Sequence, residues 1–102
     1  MKKTVAIKAD KVRNLKFGMN SLIELEEILG KPLTSLAEGN TMADVRKMLF
    51  IGLKWEDKEL TLTNTGDIID IIIEESGMDY LMAQVTKALD GSMSGSSFPQ
   101  EK

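Results

Sequence analysis

Residues Phe17–Asn40 read FGMNSLIELEEILGKPLTSLAEGN, and Thr41–Glu59 continue as TMADVRKMLFIGLKWEDKE. In the first half, Leu22, Leu25, Ile28 and Leu29 recur at helical spacing, so one face of a helix is apolar. Ser21 and Glu24 make an S-x-x-E pattern, which predicts a capping box at that helix's start. Replacing Ser21 by Ala is then expected to cost about 1 kcal/mol. Gly30 supplies a stop, because glycine accepts the left-handed backbone in which helices commonly end. After Lys31-Pro32, the run Leu33–Glu38 predicts one short helical turn closed by Gly39. Thr41 and Asp44 offer a second cap, and Met42, Val45, Met48, Leu49, Gly52 and Leu53 follow as an apolar stripe. Phe50 and Ile51 fall outside that stripe, so this helix is either central in the domain or covered on a second side by a partner.

Upstream, Val5 and Ile7, then Leu15 and Phe17, alternate with polar neighbours around Asp10-Lys11, which predicts a short β-hairpin. Two strands alone are marginal in water and must lie on helices or pair with another chain. Downstream, Leu60–Thr63 predicts an extended lead, with Thr63 or Asn64 capping the next helix and Asp67 complementing its dipole. The stretch from Asp67 to Ser76 is dense in isoleucine, which favours a strand by propensity. Spacing favours a helix instead. Ile68, Ile69, Ile71, Ile72 and Ile73 spread over an arc of about 200° opposite Asp70 and Glu74, whereas a strand would bury consecutive isoleucines on both faces. Gly77 ends it, and Met78, Leu81, Met82, Val85 and Leu89 mark a last amphipathic helix with Tyr80 beside its stripe. From Asp90 the Gly/Ser-rich composition predicts a flexible tail. The expected fold class is therefore mainly α (α+β): four to five helices with an N-terminal β-hairpin, as a single domain over residues 1–89, and a flexible C-terminal tail over 90–102.

Composition narrows the chemistry. With 102 residues and 42% apolar content, the chain supports one core. It contains no cysteine and no histidine, so thiolate metal sites, disulfides and imidazole acid–base catalysis are excluded. No apolar run approaches the roughly 20 residues that span a bilayer, and Met1-Lys2-Lys3 leads into no signal-like segment. A soluble, intracellular protein without membrane partner is expected. Residues 91–95, GSMSG, have Met93 where a nucleophile elbow needs serine, and no histidine partner exists. Glu56, Asp57 and Glu59 lack the ligand alternation of a calcium loop. No catalytic, cofactor-binding or metal residue is assigned, and no enzyme or cofactor is expected.

Charge is uneven. Residues 1–16 hold six Lys or Arg against Asp10, while the remainder holds seven basic and fifteen acidic side chains. A basic arm on an acidic body can contact phosphate or an acidic neighbouring copy, or simply blunt a strand edge. Seven methionines add adaptable apolar surface.

As a linked string, these segments resemble a known family. A basic, strand-like start leading into "FGMNALxELEExLGKPL" typifies the tail assembly chaperones of long-tailed (siphovirus-type) bacteriophages and prophages. FGMNSLIELEEILGKPL keeps that phrase nearly whole. The similarity continues through the helix before Trp55, the acidic loop, LTLTNTGDIID and the final helix, covering roughly Lys16–Leu89. It implies a non-enzymatic chaperone in the host cytoplasm, absent from the mature virion, that binds the tape-measure protein, keeps it soluble and helps recruit tail-tube subunits. It also implies a frameshift-extended form of the same chain as a further partner, while the surplus apolar arcs on two helices lead to the expectation of a homo-oligomer. The alternative is a small nucleic-acid-binding or regulatory interaction protein using the basic arm, which fits less well because the helices carry no basic cluster. The residues expected to make protein contacts are Phe50, Ile51, Ile71, Ile73, Lys8, Lys11 and Arg13.

Overall fold

The structure, a computed structural model, describes residues 4–94. Strands β1 (Val5–Lys8) and β2 (Val12–Leu15) form an antiparallel hairpin. They are followed by helix α1 (Met19–Leu29), a 3-10 turn (Leu33–Glu38) and helices α2 (Met42–Leu53), α3 (Leu62–Ser76) and α4 (Met78–Ser94). The mainly helical architecture with an N-terminal hairpin is as expected. Val5 pairs with Leu15 and Ile7 with Arg13, so these four side chains share the face turned to the helices.

Helix α2 is the centre of the molecule, packing on α1, α3 and β2, while α4 packs on α3 and β1. That placement explains the apolar residues outside its stripe: a second side of α2 is covered within the chain, and Ile51 is only 1% exposed. Ile51 is therefore core, not a contact residue. Strand β2 approaches α2 so closely that Lys16 N–H donates to the Gly52 carbonyl at 3.0 Å. The isoleucine-rich segment is helical: Ile68, Ile69 and Ile72 enter the core, while Ile71 and Ile73 are half-buried.

Capping chemistry differs from the sequence reading at two helices. Helix α1 begins at Met19 behind Gly18, with no side-chain cap, so the Ser21–Glu24 pair lies inside the helix. Glu24 is engaged elsewhere, accepting from Lys54 Nζ at 2.6 Å. The complete capping box belongs to α2, where Thr41 Oγ1 accepts from Asp44 N–H and the Asp44 carboxylate accepts from Thr41 N–H. At α3 the cap is Thr61, whose hydroxyl accepts from Asn64 N–H at 3.0 Å. Helix α3 thus starts before Thr63, and Asp67 lies beyond its first turn. Gly30, at φ 74°, ends α1 as expected, and Gly77, at φ 92°, separates α3 from α4. Helix α4 continues through Asp90–Ser94, where a flexible tail was expected. The rest of that tail lies outside the described residues.

Candidate interaction surfaces

The basic arm divides on folding. Arg13 alternates onto the inner face of the hairpin and is 7% exposed. Its Nε and Nη2 donate to the two Asp10 oxygens at 2.8 and 2.9 Å, and its Nη1 donates to Asp57 Oδ2 at 3.3 Å. This forked hydrogen bonding holds the Asp10 carboxyl below the usual aspartate range. Arg13 is consequently a tie between the hairpin tip and the α2–α3 loop rather than a contact residue, because its charge is neutralised inside the domain. Lys8 and Lys11 are exposed as a contact surface requires. Lys2 and Lys3 lie outside the described residues. Lys16 places its Nζ 4.7 Å from the centre of the Trp55 ring.

Both edges of the hairpin take partners from the helical body. On β1, Lys8 N–H donates to the Tyr80 hydroxyl at 2.9 Å and Gln84 Nε2 donates to the Ala6 carbonyl at 2.7 Å. On β2, Asn14 N–H donates to Glu56 Oε1 at 3.1 Å, and Trp55 Nε1 donates to the Asn14 carbonyl at 2.9 Å. Side chains from α4 and the α2–α3 loop therefore cover the edges, in place of the lysine blunting considered from sequence.

Among the expected apolar contacts, Phe50 is half-buried with Lys54 Nζ 5.4 Å from its ring centre. Ile73 is half-buried against the core. Ile71 lines a cleft with Asp10 and Arg13 of the hairpin tip and with Asp57 and Asp67. The structure thus joins Ile71 to the tip of the expected basic arm.

Two apolar features emerge that sequence reasoning missed. Met19 and Ile23, one turn apart on α1, are 65% and 48% exposed. The sequence signal for this pair is that Ile23 lies off the Leu22–Leu25–Ile28–Leu29 stripe. The second is a groove of about 310 Å³ lined by Leu33, Leu36, Met48, Met82, Val85 and Leu89, together with Thr34, Asn40, Thr86 and Asp90. It needs the 3-10 turn and α4, nearly fifty residues apart, to face one another. Residue spacing carries no signal for that.

Asp44 combines two roles next to this region. It caps α2 and accepts from Lys31 Nζ at 2.7 Å, and the Lys31 bond above all holds its carboxyl below the ordinary range. Among the described residues, no group of three or more acidic side chains is placed to hold a metal ion. Nor is any described helix long and apolar enough to cross a membrane.

Compared with family models, curated proteins and solved structures, the chain gives no match.

Proposed function

We propose that this chain is a non-enzymatic tail assembly chaperone that binds a tape-measure protein, keeps it soluble and helps recruit tail-tube subunits in the host cytoplasm. The observation that carries the reading is the order and spacing of Phe17–Leu33, FGMNSLIELEEILGKPL, followed by the further segments through Leu89. Surface chemistry is compatible with it. A long apolar client needs adaptable apolar contacts, and the exposed Met19–Ile23 pair and a groove lined by Met48 and Met82 are of that kind. Self-association, and association with a frameshift-extended form of the chain, belong to the same proposal.

The nucleic-acid reading loses support, because Arg13 is committed to Asp10 and Asp57 and adds nothing to a phosphate-binding surface.

Co-expression with the tape-measure protein of the same genome tests the proposal. A soluble complex is expected, containing several copies of this chain by light scattering, and Met19→Ser with Ile23→Ser should reduce tape-measure recovery while the chain stays helical. A tape measure that remains insoluble beside a helical, soluble chain would overturn it.

A further inference from the structure

We propose that Tyr80 and Gln84 form an autoinhibitory cover over the β1 edge, closing it to strand addition by an extended segment of a second copy of this chain. The inference rests on the hairpin's hydrogen bonding and is independent of the proposed function.

A two-stranded sheet has two edges, and each presents backbone groups that can template a further strand. In β1, Ile7 pairs with Arg13 of β2, so its neighbours Ala6 and Lys8 direct their backbone groups away from β2. The groups that α4 occupies are the Ala6 carbonyl and the Lys8 N–H, which flank Ile7. One residue of an incoming parallel strand would use that acceptor–donor pair. An antiparallel strand needs both groups of Ala6 or both of Lys8, and finds one of each taken. Gln84 follows Tyr80 by four positions, about one turn of α4, which matches the two-residue step of the strand beside it.

The two edges are not equally secured. On β2, Glu56 takes both the backbone N–H and the side-chain amide of Asn14, while Trp55 also holds Lys16 against its ring. Among the described residues, the side-chain hydrogen bonds to the β1 edge are one from a hydroxyl and one from an amide of α4, each to a single backbone atom. Removing those two polar groups frees the Lys8 N–H and the Ala6 carbonyl for an incoming strand and leaves the Asn14 groups of β2 bonded.

A second copy is the fitting occupant because the outer hairpin face carries Ala6 and the 63%-exposed Val12, and a copy brings its own four-residue segment already patterned to pair. The test compares the wild-type chain with Tyr80→Phe/Gln84→Ala at matched concentrations, by light-scattering mass and amide hydrogen exchange. The double variant should show a concentration-dependent rise in mass above the wild type, with the Lys8 amide still protected although the hydroxyl is gone. Adding Lys8→Pro, which deletes that donor and is tolerated on an edge strand, should return the mass to the wild-type value. Unchanged mass at every concentration, with helical circular dichroism retained, would overturn the proposal. Tyr80→Phe alone keeps the ring and Gln84; if the double variant loses helicity, this single variant must still raise the mass, or the proposal fails.

Discussion

The backbone of Gly52 lies directly against the ring of Phe17: a Cβ on residue 52 would stand 2.7 Å from Phe17 Cζ and 2.8 Å from Leu15 Cδ2. Both side chains are buried, and Lys16 between them donates its N–H to the Gly52 carbonyl. Glycine inside a helix normally costs about 1 kcal/mol relative to alanine. Here that cost permits the hairpin to lie on the central helix.

Gly52→Ala should therefore destabilise the domain, although it improves helix propensity. Overpacking a core costs about 1–3 kcal/mol and exceeds the propensity gain, leaving a net loss of about 1 kcal/mol. A urea midpoint below that of the wild type is the expected result, and a rise would mean that the hairpin yields without cost.

The capping residues give a paired prediction. Thr41→Ala removes the acceptor that holds Asp44 N–H and should cost about 1 kcal/mol. Ser21→Ala, in the first turn of α1 and not at its cap, should change stability by no more than about 0.5 kcal/mol. Thermal melts of the two variants, compared with wild type, separate the real cap from the apparent one.

That contrast shows what can be read locally and what cannot. The helices were legible because Gly30 and Gly77 punctuate them and because the isoleucine arc fits a helix far better than a strand. The start of α1 was not, because S-x-x-E matches a local pattern while Glu24 is drawn to Lys54, thirty residues away. A run of threonines likewise hid which one caps α3. Arg13 looked like one more charge in a basic arm, and only the alternation imposed by pairing with Ile7 turns it inward toward Asp57. The edge covers and the methionine-lined groove depend on contacts across most of the chain, which no periodicity encodes.

Acidification should weaken the domain in a defined window. Asp10 and Asp44 both have carboxyl pKa values lowered by folding, the first chiefly by Arg13 and the second chiefly by Lys31. The unfolded chain therefore binds protons more readily than the folded one at the same pH. This stabilisation is fully present above the ordinary aspartate pKa of about 3.9 and is lost as pH falls through the depressed folded values. Denaturant midpoints should be insensitive to these two groups near neutrality and decline below about pH 4. Lys31→Met should flatten the part of that decline due to Asp44, and an unaltered profile would remove the pair from the account.

Ile51 and Ile71, both expected from sequence to make protein contacts, should respond oppositely to the same substitution. Ile51→Asp places a carboxylate at a position that is 1% exposed, at a cost of several kcal/mol against a total stability of about 5–15 kcal/mol. Loss of the cooperative melt is expected. Ile71→Asp puts its carboxylate in a half-exposed cleft that already holds Asp10, Asp57 and Asp67 around Arg13, so the added charge is hydrated, though it meets like charges. Helicity should be retained, with stability reduced by about 1 kcal/mol. If the chain self-associates through this face, the light-scattering mass of Ile71→Asp falls below that of the wild type. A fully helical Ile71→Asp of unchanged mass would place the self-association surface elsewhere and leave the Met19–Ile23 face of α1 as the next to substitute.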